Sequence, residues 1–125
     1  MSTVAVAVYG TLKEGFSNYR LYLAEVKPRV ARLVSLPYRM YDNGAYPMLV
    51  PAGGDEWNPI WVEIFDVDSE TLRALDALEA PYGYWRESIE TEELGERIEI
   101  YLHPSPAPQG FERVPSGNWT ESRGS

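Results

Sequence analysis

Residues 60–81 read "IWVEIFDVDSETLRALDALEAP", and this stretch decides the fold. Ile60 to Val67 is apolar on both alternating faces except at Glu63, the pattern of a central strand covered on two sides. Asp68 or Ser69 then supplies an N-cap. Leu72, Leu75, Asp76 and Glu79 follow at i, i+3, i+4 and i+7, the spacing that puts side chains on one stripe of an amphipathic helix. Pro81 stops that helix. A buried strand feeding a short helix, in a chain otherwise made of strand-like runs, sets the class as α+β, with the sheet expected to curl into a small barrel.

Upstream, Val4 to Tyr9 is an apolar, β-branched run ended by Gly10, a first strand running into a turn. In the glycine-bracketed loop that follows, Ser17 or Asn18 can cap a short helix through about Glu25, which Pro28 keeps from continuing. Val30 to Val50 mixes β-formers with Pro37, "DNG" and Pro47, which predicts two short strands with a turn at Asn43 and Gly44. Downstream, Arg86–Glu92 and Arg97–Leu102 form a hairpin pattern around "LGE". The proline-rich "HPSPAPQG" and a final strand or coil through "FERVPSGNW" follow. Residues 1–119 are expected to form a single domain and residues 120–125 a frayed tail.

Composition removes several classes of function. The chain has 125 residues, 44% of them apolar, which suits one packed domain. Nineteen acidic against eleven basic residues give a formal charge of −8, which repels phosphate backbones. Four Trp and nine Tyr without a basic groove make a poor nucleic-acid platform, so no nucleic-acid partner is expected. Cysteine is absent, which excludes disulfides and thiolate nucleophiles, and the single histidine, His103, leaves zinc without its usual ligands. No metal or cofactor is expected. "MSTVAVAVYG" lacks the basic and long apolar regions of a signal peptide or membrane span, so the expected location is cytoplasmic with no membrane partner. Oligomeric state leaves no mark in the sequence.

Glu79 is the residue out of place. On the helical wheel it projects between Leu72 and Leu75, near the middle of the apolar arc. A carboxylate removed from water has its pKa raised, and a position in the last helical turn pushes the same way, because the macrodipole disfavours negative charge there. Both effects make a stronger base. The plain structural alternative is that Glu79 pairs with Arg86 or reaches past the helix end. Asp76 is expected to brace the "APYGY" loop through backbone N–H groups. Tyr84 and Trp85 read as core or rim aromatics, and His103 as a surface residue of the proline-rich loop. "YGTLKEG" places Gly10 just after a strand, so that several backbone N–H groups can turn toward one carboxylate or carbonyl oxygen. It has neither the "GxxxxGK[ST]" nor the "GxGxxG" spacing of nucleotide phosphate loops.

Four stretches together resemble the gamma-glutamylcyclotransferase-like proteins, the group that includes the AIG2-like proteins and gamma-glutamylamine cyclotransferases. They are "YGTLKEGFSNYRLYL" at Tyr9–Leu23, "GAYPMLV" at Gly44–Val50, "LDALEAPYGYWR" at Leu75–Arg86, and "PSGNW" at Pro115–Trp119. They occur in the family's order and span nearly the whole chain. The resemblance implies a small mixed β-barrel flanked by short helices. It makes Glu79 the catalytic acid/base, Tyr9, Gly10, Thr11 and Leu12 the substrate-binding loop, and Tyr84 a pocket wall. One departure is Val62, which stands where the family often has glycine before the strand glutamate and which could narrow the pocket.

The implied partner is a small gamma-glutamyl compound. Such a molecule carries its own nucleophile, an α-amine that closes on the side-chain carbonyl to give 5-oxoproline and a free amine. The protein need supply only a base, an acid and a rigid pocket, which suits a chain without cysteine. By the resemblance, "YGTLK" points toward gamma-glutamyl amines such as a glutamyl-lysine, or toward a dedicated pathway substrate. Two other readings stand beside it. One is a glycoside hydrolase using Asp76 and Glu79, disfavoured because i,i+3 neighbours leave no room for a sugar between them. The other is a non-catalytic small-molecule or protein-binding module on the same fold.

Overall fold

The structure, a computed structural model, describes residues 3–10, 12, 23, 26–104 and 106–119. Its elements run β1 (Val4–Val8), β2 (Val30–Leu36), β3 (Tyr38–Asp42), β4 (Pro47–Pro51), β5 (Asn58–Val67), α1 (Ser69–Glu79), β6 (Trp85–Glu90), β7 (Arg97–Leu102) and β8 (Glu112–Arg113). A turn of 3-10 helix, Ala80–Tyr82, follows α1 directly. The helix expected between Ser17 and Glu25 lies outside the described residues.

Five strands form one sheet in the order β2-β5-β1-β7-β6, and β4-β3-β8 form a second. The first sheet is mixed: β1 runs antiparallel to β5 and parallel to β7. As its doubly apolar pattern requires, β5 lies inside the sheet with a partner on either side. Ile60, Val62 and Ile64 point into the core between the two sheets, with Leu36, Met40, Leu49, Ile98 and Ile100. On the opposite face Phe65 and Val67 join Val6, Val8 and Tyr101 against Leu75, the one fully buried residue of α1. Burying that leucine contributes about 1.5–3 kcal/mol to holding the helix on the sheet.

Two expectations are corrected. The 30–50 run holds three strands, because Pro37, which has no N–H to give a ladder, separates β2 in one sheet from β3 in the other. The expected small barrel is, among the described residues, two packed sheets that share no strand ladder. Isolated bonds join them: the His103 N–H to the Leu49 carbonyl (2.8 Å), and the Trp61 N–H to the Gly117 carbonyl (2.8 Å) in the segment that also bonds Val114 N–H to Met40 O. The rest follows the sequence closely. Asp68 Oδ1 accepts from Thr71 N–H at 2.8 Å as the helix cap, and Asn43 Oδ1 accepts from the N–H groups of Ala45 and Tyr46 to close the β3–β4 turn. Among the described residues no helix is long and apolar enough to cross a membrane.

Candidate active site

A cavity of about 240 Å³ opens where the end of β1, the end of α1 and the β3–β4 turn meet. It is smaller than the ~300–1,000 Å³ typical of drug-sized ligand sites, a size for a small metabolite. Tyr9, Gly10, Leu12, Glu79 and Tyr84 all line it, so five of the six residues singled out in the sequence come together. The sixth, Thr11, lies outside the described residues. Val62 does not line the cavity. Its side chain is packed in the core between the sheets, so the departure from the family glycine falls behind the wall.

Each neighbour of the cavity is held for a physical reason. Gly10 is pressed against the β4 proline: a Cβ there would sit 2.7 Å from Pro47 Cγ, closer than any real contact allows. The Tyr9 hydroxyl donates to the Tyr101 carbonyl oxygen at 2.7 Å, and the Tyr84 hydroxyl to the Pro47 carbonyl oxygen at 2.7 Å. The Tyr101 hydroxyl donates to Asp76 Oδ1, also at 2.7 Å. All three phenol protons are thus committed to internal acceptors. Burial raises the pKa of each phenol further, with the nearby Glu79 carboxyl adding to the effect.

Glu79 is different. Its carboxylate makes no hydrogen bond or ion pair with any described residue, and α1 carries no basic residue in its last turn. Arg86, the partner it would take in the plain structural alternative, instead grips Asp76 (Nε to Oδ1, 2.9 Å) and Glu99 (Nη1 to Oε1, 2.5 Å). The side chain is only half-buried, since the cavity is open to solvent, but the enclosing protein leaves it little water. Desolvation lifts its pKa to about 7. Among the described lining residues it is the one group poised to exchange a proton near neutral pH.

Asp76 serves the site differently from expectation. Its carboxylate binds the side chains of Arg86 and Tyr101 and not the loop N–H groups, while its backbone carbonyl accepts from Ala80 N–H. It is therefore unavailable as the second carboxylate of a glycosidase pair. His103 is likewise less exposed than expected: its ring stands edge-on to Tyr84, with centroids 5.7 Å apart. Sequence reasoning missed Tyr46, Tyr82 and Tyr101 as lining residues. Tyr101 follows from the period of β7, whose even-numbered neighbours fill the inter-sheet core and leave it on the helix side. Tyr46 lies within the "GAYPMLV" stretch that carries the resemblance, but nothing in its local spacing points to the cavity, since only the folded turn brings it there. Among the described residues no group of three or more His, Cys, Asp or Glu could hold a metal ion.

Residues 6–121 match the family described as gamma-glutamyl cyclotransferase, AIG2-like. A Methanocaldococcus jannaschii protein provisionally named a gamma-glutamylcyclotransferase is 33% identical over 95% of this chain and 98% of its own. A Vibrio cholerae protein with the same provisional name is 40% identical over 69% of this chain and 71% of its own. The crystal structure of an uncharacterised Pyrococcus horikoshii protein superposes with a TM-score of 0.72 at 27% identity, covering 92% of this chain and 88% of that one.

Proposed function

The chain belongs to the gamma-glutamyl cyclotransferase, AIG2-like family, and we propose that it converts a gamma-glutamyl amine or amino acid to 5-oxoproline and the free amine, with Glu79 as general acid and base. The observation that carries this reading is the Glu79 carboxyl: unpaired among the described residues, in the cavity wall, and titrating near pH 7.

In this reading Glu79 takes a proton from the substrate's α-ammonium. The freed amine attacks the gamma carbonyl, forming one C–N bond of the five-membered lactam as the amide C–N bond breaks. Glu79 passes that proton to the departing nitrogen, and the second proton that the attacking nitrogen sheds on becoming the lactam N–H also ends on the released amine, which leaves as an ammonium, so neither water nor an oxidant is consumed. The backbone N–H groups of Gly10, Thr11 and Leu12 hold substrate oxygens, and one of them facing the developing oxyanion would stabilise the tetrahedral intermediate. The committed phenols of Tyr9, Tyr84 and Tyr101 act as rigid walls that favour the cyclising conformer. The reaction is placed in the cytoplasm, in keeping with a chain that has no cysteine.

Mass-spectrometric detection of 5-oxoproline across a panel of gamma-glutamyl donors tests the proposal. Stoichiometric release of 5-oxoproline and amine supports it. Saturable binding of the same donors with no product would leave the binding-module reading in its place.

A further inference from the structure

The cavity grades from a closed floor to an open rim. Ala7, Val8 and Tyr9 at the floor are 0–6% exposed, whereas Tyr82 is 58% exposed although it also lines the cavity. Tyr82 belongs to the 3-10 turn that starts directly after Glu79, a turn held by Pro81 and closed by Gly83 at φ 87°. Tyr82 follows Glu79 by three residues, one turn of 3-10 helix, and both side chains line the same cavity. Behind it lies Tyr46, whose ring centroid is 5.9 Å from that of Tyr82 and 5.7 Å from that of Phe111. Three aromatic rings in file, the outermost largely open to solvent, form a surface that awaits a flat apolar group.

The geometry points to this file as a subsite for the leaving amine, one selecting gamma-glutamyl derivatives of amines that carry an aromatic ring. The inference rests on the cyclotransferase reading for the substrate's direction. With the α-amine at Glu79 and the glutamyl unit toward the end of β1, the leaving group is the part that faces the rim, and the rim is its way out. The described part of the rim favours an apolar group. Ala45, Tyr46, Pro47, Leu78 and Tyr82 carry no charge, and Glu79 is the single charged residue among the described lining. A leaving amine bearing a carboxylate, such as an amino acid or peptide, finds no cation among the described lining residues and meets a protein of net charge −8. One bearing a second ammonium finds, among the described lining residues, no carboxylate besides Glu79. An aromatic ring finds the exposed face of Tyr82, fixed one turn from the reacting bond.

The test separates binding from chemistry with glutaryl amides, which lack the α-amine and cannot cyclise. Calorimetric titration of wild-type protein with glutaryl N-methyl, N-benzyl, N-(4-aminobutyl) and N-carboxymethyl amides should rank the benzyl amide tightest. Its advantage over the methyl amide should be ~3–10-fold, the contribution of one aromatic pair. Tyr82→Ala, at an exposed position that leaves the fold intact, should bring that ratio toward one, and Tyr82→Phe should preserve it. A benzyl amide no tighter than the methyl amide, a tighter ammonium or carboxylate arm, a ratio that survives Tyr82→Ala, or no binding by any amide overturns the subsite. If the benzyl preference is found but gamma-glutamyl-benzylamide yields no 5-oxoproline, the subsite stands and the cyclotransferase reading falls. If all donors are cyclised at equal rates and no benzyl preference is seen, the reverse holds.

Discussion

The Tyr101 hydroxyl donates to Asp76 Oδ1 at 2.7 Å, one helical turn before Glu79. The same carboxylate receives Arg86 through both oxygens, and Arg86 continues to Glu99, which also accepts from Ser88. This cluster fastens the last turn of α1 to β6 and β7, and so fixes where the Glu79 side chain starts. The ion pair contributes little by itself, since the Arg86 and Asp76 side chains remain 31% and 38% exposed. The buried phenol matters more. Asp76→Ala leaves it without its acceptor and should cost about 1–3 kcal/mol in urea denaturation. Asp76→Asn keeps an acceptor oxygen and should recover at least half of that loss.

Glu79→Gln keeps shape and removes the proton carrier. With no described partner to lose, the variant should unfold at or above the wild-type midpoint while 5-oxoproline formation falls ~10²–10⁴-fold. Wild-type turnover by a folded Gln variant, in a continuous amine-release assay, would remove Glu79 from the mechanism.

The same carboxyl sets two pH dependences of opposite use. As a base it must be ionised, so kcat/KM should rise with pH through a midpoint of about 7 and then level, and the rise should vanish from the residual rate of Glu79→Gln. For stability, the folded protein holds this proton between pH ~4.5 and ~7 where the unfolded chain does not. Wild-type stability therefore falls as pH rises across that window, and the full cost is present above it. The advantage of Glu79→Gln over wild type in chemical denaturation should accordingly grow from pH 5 to pH 8, reaching about 1–3 kcal/mol.

Much of this arrangement was legible because its signals are local. The Asp68 cap, the Leu72–Leu75 stripe and the Asn43–Gly44 turn each follow from a few adjacent residues, and each appears at the predicted position. That Glu79 would face a cavity shared with Tyr9, Gly10 and Leu12 needed the family resemblance as well, since helical periodicity gives a face and not the object it meets. What stayed hidden depends on long-range packing. Pro37 was visible as a breaker, but its effect of sending β2 and β3 into different sheets depends on where β4 and β5 lie. The Asp76 partners come from β6 and β7, and no spacing within α1 reports them.

The motif "PSGNW" was legible only as a resemblance, and the structure supplies its physics. Gly117 has φ +72°, and a Cβ on it would fall 1.8 Å from the Pro59 carbonyl oxygen. This close approach lets the Gly117 carbonyl accept from Trp61 N–H at 2.8 Å and tie the C-terminal segment to β5. Two residues on, Trp119 is 1% exposed and its indole N–H donates to Asp42 Oδ2 at 3.0 Å, bonding that segment to β3 of the second sheet. One glycine thus anchors a strap across both sheets, and no residue of that strap lines the cavity. Gly117→Ala combines backbone strain with a steric overlap that only movement of the strap can relieve, and it should destabilise by at least about 3 kcal/mol. The loss should appear as a lower thermal midpoint and a blue-to-red shift of Trp119 fluorescence at temperatures where wild type stays folded. At low temperature, where the variant is still native, its kcat should remain within about threefold of wild type, because the strap contributes no side chain to the cavity. A kcat loss as large as that of Glu79→Gln under those conditions would instead place the strap in the site.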